Sequence, residues 1–276
     1  MCELLGMSAN VPTDICFSFA GLIQRGGNTG PHSDGWGITF YEGKGFRTFK
    51  DPNPSCDSKI ADLVQSYPIK SQAVISHIRQ ANRGEVNLVN THPFTRELWG
   101  RYWTFAHNGQ LSDYESWSTG RHRSVGETDS EFSFCWLMDK VESVYPEPPT
   151  DMIEVFRFIA SCCDKLRQQG VFNMLLSDGE YVVSYCTNHL YRITRRAPFG
   201  KASLIDEEMT INFQEETTPN DIVSVIATQP LTNDETWHRM KPGEYSIFQH
   251  GELIDGNSEQ LKDVAYAKPK EKKKRV

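Results

Sequence analysis

In the segment DMIEVFRFIASCCDKLRQQGVFNMLLSDGEYVVSYCT, residues 151–187, the spacing of apolar residues changes from a helical to a strand pattern. This change decides the fold class. In its first half, apolar residues recur at intervals of four and three. This spacing predicts a helix with one apolar face, ended by Gly170. In its second half, two β-type runs flank Asp178-Gly179, a dipeptide typical of a type I′ hairpin turn. A helix that leads into an antiparallel hairpin indicates an α+β domain.

The rest of the chain groups helices between runs of strands in the same way. A helix is predicted at 14–24 with Asp14 as N-cap, and TDSE at 128–131 has the form of a capping box in which Glu131 reaches back to Thr128. The order predicts a sandwich of two mainly antiparallel sheets with helices outside. The other predicted elements are a helix at 58–67, two strands joined at 42–45, and strands at 72–80, 101–107, 189–194, 221–228 and 244–254.

Charge is distributed unevenly along the 276 residues. The formal charge is −7, but the last nine residues, KPKEKKKRV, contribute +5, so the preceding body carries −12 (−7 minus +5). An acidic body argues against nucleic acid as a partner, because phosphate binding needs a basic surface.

No run approaches the roughly 20 apolar residues of a membrane span, so no membrane association is predicted. We predict one domain over residues 1–255 and a basic, disordered tail over 256–276.

The seven cysteines form no recurring spacing and no CxxC pair, which predicts free thiols in a reducing cytoplasm and neither a metal site nor a cofactor. Cys2 stands apart because it follows Met1 directly. Removal of Met1 would give Cys2 both a thiol and a free α-amine, a combination suited to an N-terminal nucleophile. The alternative is that Cys2 is a small apolar residue at the start of a first strand.

Four further stretches carry groups suited to an amino-acid ligand. In SHIRQANRG (76–84), the Arg79 guanidinium could clamp a carboxylate or form a surface ion pair. In NTHPF (90–94), His92 is a supporting candidate.

The other two stretches supply a donor pair and a carboxylate. In FAHNGQL (105–111), Asn108 and Gly109 form either a type I′ turn or the two donors of an oxyanion hole. Asp129 is favoured by the helix dipole and could also hold an ammonium group. A carboxylate clamp, an ammonium partner, a nucleophile and an oxyanion hole together describe an amino acid with a side-chain amide, and glutamine is the natural candidate.

The chain resembles the class II (N-terminal nucleophile) glutamine amidotransferases, and within them the stand-alone YafJ-type members. The resemblance implies a four-layer αββα sandwich, the N-terminal nucleophile hydrolase fold. The motifs that carry it occur in the family's order and are Met-Cys at the start, DGWG (34–37), HIRQA (77–81), THPF (91–94), HNG (107–109), TDSE (128–131) and ATQPL (227–231).

The resemblance also assigns roles. Cys2 would be the nucleophile, with its freed α-amine as general base, and Asn108 and Gly109 would form the oxyanion hole. Attack on the glutamine amide would give a thioester and ammonia, and water would then release glutamate. The implied substrate contacts are Arg79 to the carboxylate and Asp129 to the α-ammonium, with His92 and Gln80 as further contacts.

Three functions remain open from the sequence. Little chain follows residue 254 to accept ammonia, so the protein is expected either to supply a separate synthase subunit or to hydrolyse another γ-glutamyl amide or peptide. Residues 82–84 are a place where the group beyond the scissile nitrogen could lie. A third possibility is a non-catalytic module that binds glutamine.

Overall fold

The computed structural model describes residues 2–67, 69–213 and 217–258, so Met1 and the predicted tail from residue 259 onward lie outside the described residues. The helices are α1 (Cys16–Gln24), α2 (Lys59–Ser66), α3 (Asp129–Val144) and α4 (Met152–Leu166). The strands are β1 (Glu3–Asp14), β2 (Trp36–Glu42), β3 (Gly45–Asp51), β4 (Lys70–Ile78), β5 (Phe94–Leu98), β6 (Arg101–Leu111), β7 (Gly170–Ser177), β8 (Tyr181–Tyr185), β9 (Tyr191–Arg196), β10 (Lys201–Ser203), β11 (Thr210–Asn212), β12 (Ile222–Ala227), β13 (His238–Arg239), β14 (Tyr245–Gln249) and β15 (Glu252–Gly256).

Two large sheets contain most of these strands. One has seven strands in the order β13-β9-β12-β1-β4-β2-β3, and the other has six in the order β15-β14-β8-β7-β6-β5. Neighbouring strands in both sheets are antiparallel. The predicted α+β class with two mainly antiparallel sheets is confirmed.

Apolar side chains form three clusters, one in each space between four layers. The first joins α1 and α2 to the seven-stranded sheet and contains Leu5. The second lies between the sheets and contains Leu4 and Leu175, and the third joins the six-stranded sheet to α3 and α4 and contains Leu176. Because successive strand residues point to opposite faces, each Leu-Leu pair is divided between two clusters. Both sheets are therefore buried on both faces, and the αββα sandwich is confirmed.

The segment 151–187 forms the predicted helix and hairpin but with different boundaries. Asp151 caps α4 by accepting a hydrogen bond from the backbone N–H of Ile153, and the helix ends at Leu166. Gly170 opens β7 at φ +150°, so its prediction as the helix stop was wrong. Ser177 pairs with Val182, so four residues lie between these paired positions, where a type I′ turn has two.

The Asn108-Gly109 pair lies inside strand β6, and the turn alternative for it is wrong. Asn108 pairs with Asn173 and Gly109 with Phe172 on β7. A Cβ atom on Gly109 would lie 1.8 Å from the carbonyl oxygen of Val171. Glycine is therefore required here by the close approach of the neighbouring strand, with no turn involved.

Two smaller differences concern element ends. Helix α1 begins at Cys16, whose N–H donates to the Asp14 carboxylate at 2.6 Å, so the predicted cap lies two residues before the helix. The predicted strand at 244–254 is a hairpin of β14 and β15. The side chain of Ser58 caps α2 as a short polar residue should. No described helix combines the length and apolarity that a bilayer crossing requires.

Candidate active site

The central strand β1 determines where the site lies. Its first residues pair with the last residues of both neighbouring strands, Glu3 with Ile78 of β4 and Leu5 with Ala227 of β12. The residues that follow those neighbours therefore flank Cys2. Arg79 follows β4 on one side, and Thr228 follows β12 on the other.

A cavity of about 30 Å³ opens at this point and brings together six of the seven predicted site residues. The seventh, Asn108, is fully buried directly before Gly109 in β6 and does not line the cavity. The lining residues predicted from sequence are Cys2, Arg79, Gln80, His92, Gly109 and Asp129. Asn82 and Arg83 of the predicted 82–84 segment also line it, and the lining residues that sequence reasoning missed include His107, Gln110, Thr128 and Ser130.

The Cys2 thiol is 9% exposed and faces the residue after Arg79. Its Sγ atom accepts a hydrogen bond from the Gln80 N–H at 3.3 Å and lies 3.5 Å from the Gln80 carbonyl oxygen. Burial raises the pKa of the Cys2 thiol to about 11, so the thiol is protonated at neutral pH. A reaction at this sulfur therefore needs a group that accepts its proton.

Two buried contacts hold the start of β1. The Glu3 carboxylate accepts from the Arg25 guanidinium at 3.0 Å, and the same guanidinium donates to the Pro230 carbonyl at 2.7 Å. The N–H of Leu4 donates to Thr228 Oγ1 at 2.9 Å. These contacts fix the backbone on which Cys2 is carried.

Asp129 is the first residue of α3, and the capping box places it. Thr128 Oγ1 accepts from the N–H of Glu131, as predicted. The Glu131 carboxylate does not return to Thr128, because it accepts from the N–H groups of Val125 and Gly126 instead. The Asp129 carboxylate oxygens accept from the backbone N–H groups of Leu111 at 2.7 Å and Ser130 at 3.0 Å. A carboxylate held in this way keeps lone pairs for a cationic ligand.

Arg79 is 3% exposed and clamps the loop that follows it. Its guanidinium donates to the carbonyl oxygens of Arg83 at 3.0 Å, Gly84 at 3.3 Å and Glu85 at 3.0 Å. Its partners are carbonyl groups, so the surface ion pair weighed as an alternative is wrong. Its contact with a substrate carboxylate stays a prediction.

The DGWG motif acts on the same loop. Asp34 Oδ2 accepts from the Ala81 N–H at 2.7 Å, which holds the chain just after Arg79. A Cβ on Gly37 would lie 2.3 Å from the His92 carbonyl, so glycine permits the close approach of the THPF segment. The motif was recognised by its order in the chain, whereas these contacts with 81 and 92 were not predicted.

Three buried histidines lie behind the thiol. Burial lowers the pKa of His77 and His92 well below the usual value, and that of His107 is also lowered by burial. His77 and His92 stack with ring centroids 4.1 Å apart. His107 Nδ1 lies 2.8 Å from the Ser130 hydroxyl, and its Nε2 lies 3.2 Å from the Val171 carbonyl, which requires the proton on Nε2. The rings are therefore neutral at pH 7, and within the described residues His92 has no hydrogen-bond partner on either nitrogen.

One group elsewhere has the residue types of a metal site. His122, Asp139 and Glu142 place ligand atoms within 4.8 Å of one another. Asp139 already accepts from His122 Nδ1 at 2.8 Å and from the backbone N–H of Gly120, while Glu142 accepts from Arg121 at 2.7 Å. These bonds indicate that the group anchors the loop before α3.

Comparisons with known proteins identify the family of this chain. The family model described as "Glutamine amidotransferases class-II" matches residues 1–272. The Escherichia coli (strain K12) protein named "Putative glutamine amidotransferase YafJ" is 68% identical over 254 residues, which are 92% of this chain and 100% of that one. A Haemophilus influenzae protein, "Putative glutamine amidotransferase", is 45% identical over 92% of this chain and 86% of its own length.

Solved structures give the same result. A "predicted glutamine amidotransferase" from Pseudomonas aeruginosa PA01 superposes with a TM-score of 0.73 and 51% identity, over 92% of this chain and 100% of that chain. The glutamine phosphoribosylpyrophosphate amidotransferase of Bacillus subtilis shares the fold, with a TM-score of 0.57 and 14% identity over 93% of this chain and 49% of that chain. By the family match and the identity to its relatives, this chain belongs to the class II glutamine amidotransferases and is an enzyme.

Proposed function

We propose that the enzyme hydrolyses the side-chain amide of glutamine, with Cys2 as the nucleophile after removal of Met1. The observation that carries this proposal is the convergence of the Cys2 thiol, the Arg79 guanidinium, the Asp129 carboxylate and Gly109 on one cavity. Each group matches a different part of glutamine. The two charged groups, which line the same cavity as the thiol, would orient the amide toward the sulfur.

The proposed recognition of the amino-acid head group depends on charge. The Arg79 guanidinium would exchange its loop carbonyl partners for the α-carboxylate, which a planar fork binds bidentately. The lone pairs that Asp129 keeps beside its two backbone donors would accept from the α-ammonium. His92 and Gln80, which also line the cavity, would contact the rest of the substrate.

The proposed acylation begins with proton transfer from sulfur. A free α-amine titrates near 7.7–8.0, so a useful fraction is neutral at pH 7 to 8 and can accept the proton of a thiol whose pKa is about 11. The S–C bond then forms at the amide carbon, and Asn108 and Gly109 would stabilise the oxyanion. The C–N bond breaks as the α-ammonium returns the proton to nitrogen, which leaves ammonia and a thioester.

Deacylation repeats these steps with water. The α-amine takes a proton from water, hydroxide adds to the thioester carbonyl, and the C–S bond breaks to release glutamate. The thiolate regains its proton from the α-ammonium. The ammonia would pass to a separate acceptor subunit or leave as the product.

The test compares the wild-type enzyme with Cys2→Ala on a panel of glutamine, glutathione and γ-glutamyl amines, scored for glutamate release. We expect wild-type activity on glutamine and none above background in Cys2→Ala, since no other group supplies the bond to carbon. The matched control is Cys56→Ala, which removes another partly buried free thiol and should keep full activity.

Three results would contradict the proposal. Unchanged turnover in Cys2→Ala would exclude the nucleophile. An intact mass that retains Met1 in an active enzyme would exclude the α-amine as base. Turnover of γ-glutamyl amines with none of glutamine, with and without cell extract to supply a partner, would move the substrate to the broader γ-glutamyl class.

A further inference from the structure

Thr228 connects the strand that carries the nucleophile to the residue assigned to the oxyanion hole. It follows β12 and is 3% exposed. Its hydroxyl oxygen accepts from the Leu4 N–H at 2.9 Å and lies 3.4 Å from Asn108 Nδ2. Leu4 belongs to the seven-stranded sheet and Asn108 to the six-stranded sheet, so one hydroxyl group spans the interface between the sheets two residues from Cys2.

The hydrogen-bond donors and acceptors around this hydroxyl favour one of the two orientations of the Asn108 amide. A threonine hydroxyl has one proton to donate and two lone pairs. If both Leu4 N–H and Asn108 Nδ2 donate to it, its own proton has no acceptor among the described residues, and the buried Asn108 Oδ1 has no partner among them either. Leaving two buried polar groups unpaired is costly.

Exchanging the nitrogen and oxygen of the Asn108 amide gives both of these groups a partner and leaves the amide nitrogen as the one unpaired group. The Thr228 hydroxyl then donates to Asn108 Oδ1 while it still accepts from Leu4 N–H. Asn108 Nδ2 then takes the buried position at which no hydrogen-bond donor was found, in the residue directly before the cavity-lining Gly109. In this orientation the Thr228 hydroxyl takes up neither N–H of the amide, so these donors are available for an oxyanion, as an oxyanion hole requires.

We propose that Thr228 is a positioning residue, which acts through Asn108 to hold its amide nitrogen toward the reacting carbonyl. This inference rests on the proposed function. Thr228 touches no reacting atom, so its effect is confined to the transition state, where charge develops on oxygen. Substrate binding depends on other groups and should be unaffected.

The test is Thr228→Val in the full-length enzyme, with glutamine as the substrate. We expect kcat to fall by about 10- to 100-fold, somewhat less than the roughly 100- to 1000-fold that loss of an oxyanion donor costs, while KM stays within about threefold. Thr228→Ser keeps the hydroxyl and should retain most of the wild-type kcat. Should Thr228→Val fold poorly, Thr228→Ala serves as the second variant, because it leaves space for a water molecule to replace the acceptor for Leu4.

A double-mutant cycle separates this role from a structural one. If Thr228 acts through Asn108, adding Thr228→Val to Asn108→Ala should not lower kcat further. A full additional loss would mean that Thr228 acts through Leu4 and the nucleophile strand, and a wild-type kcat in Thr228→Val would also overturn the inference. All these results are ratios to wild-type turnover. An inactive wild-type enzyme would defeat the proposed function instead, so the two failures are distinguishable.

Discussion

The two walls of the candidate active site are built differently. One wall, the strand wall, consists of Cys2 directly before β1, Gly109 within β6 and Asp129 at the first turn of α3, so its residues lie in or beside elements whose backbones are paired or capped. The other wall, the loop wall, is the loop from 80 to 90. Within that loop no residue of 81–89 is fully buried, and Val86 and Leu88 are more than half exposed.

The difference indicates that the strand wall carries the groups that react, whereas the loop wall controls the access of the substrate. Groups that make and break bonds need positions accurate to a fraction of an ångström, which regular elements supply. A cavity of about 30 Å³ has room for only one or two water molecules, so we expect one wall to move when an amino acid binds. The loop is the wall that can move, because few buried contacts hold it apart from the Arg79 clamp.

The largest expected effect tests the rigidity of the strand wall. In Gly109→Ala, the new Cβ would lie 1.8 Å from the Val171 carbonyl oxygen, so β6 and β7 must separate locally. We expect kcat to fall more than about 100-fold, since a misplaced oxyanion donor costs two to three orders of magnitude, together with a lower melting temperature. The measurements are steady-state glutamate release and thermal unfolding.

Gly200→Ala is the matched control, because a Cβ at Gly200 meets no atom within 4 Å. It should leave both the activity and the melting temperature unchanged. If Gly109→Ala kept full activity, the strand wall would not need the precision inferred for it.

A second prediction concerns the proton acceptor on the strand wall. We expect kcat/KM to fall about tenfold per pH unit below a pKa near 8, because the α-amine must be neutral to accept the thiol proton. The lowered pKa values of His77 and His92 exclude these rings as the source of such a limb. The measurement is a pH–rate profile from pH 5 to 10.

His92→Ala gives the control for that profile. It should leave the position of the acid limb unchanged, since the limb belongs to the amine. An acid limb below about pH 6.5 that disappears in His92→Ala would assign the base to the histidine, and would place the proton acceptor on a residue of the THPF segment.

Local sequence rules predicted some elements of the fold and missed others. Ser58 and Thr128 act as caps where short-range rules place them, and the β2–β3 hairpin forms around 42–45. Asn108-Gly109 and Asp178-Gly179 are similar dipeptides, and both were predicted as turn candidates. The second lies in a connection between strands, whereas the first lies within a strand.

The reason is that the first pair is determined by distant chain. Gly109 pairs with Phe172, 63 residues further along, and no nearby residue signals that pairing. The contacts of Thr228 with Leu4 and of Asp34 with Ala81 likewise join residues that are far apart in the sequence. The order of motifs identified which residues matter, but their partners became visible only in the folded chain.

The loop wall provides the next prediction. Arg79→Lys replaces a planar fork, which donates to three carbonyls, by a point charge. We expect KM for glutamine to rise roughly tenfold, with kcat within about threefold, and hydrogen exchange of 83–85 to accelerate, because a charged hydrogen bond is worth about 1.5–3 kcal/mol. Arg47→Lys is the control, since Arg47 forms an exposed pair with Glu42 on the β2–β3 hairpin. A loss of kcat at constant KM would instead assign Arg79 to the strand wall.

The smallest expected effect comes from a pair of glycine variants. Their comparison distinguishes a change in the shape of the loop from a loss of stability through backbone strain. Gly84 has φ +74°, and an added Cβ would lie 2.9 Å from Asn90 Nδ2, so Gly84→Ala should displace the carbonyls that Arg79 holds. Gly43 has φ +59° with no atom near an added Cβ, so Gly43→Ala carries a similar backbone cost of about 1–2 kcal/mol at a distance from the site.

Both glycine variants should therefore lose similar stability in denaturant unfolding. Only Gly84→Ala should change catalysis, with KM raised by about two- to fivefold and kcat unchanged, because it alters the wall that admits substrate and leaves the strand wall intact. If Gly84→Ala lowered kcat at constant KM, the loop would take part in the chemical step. The separation of the two walls would then fail at Gly84, whose carbonyl oxygen accepts a hydrogen bond from Arg79.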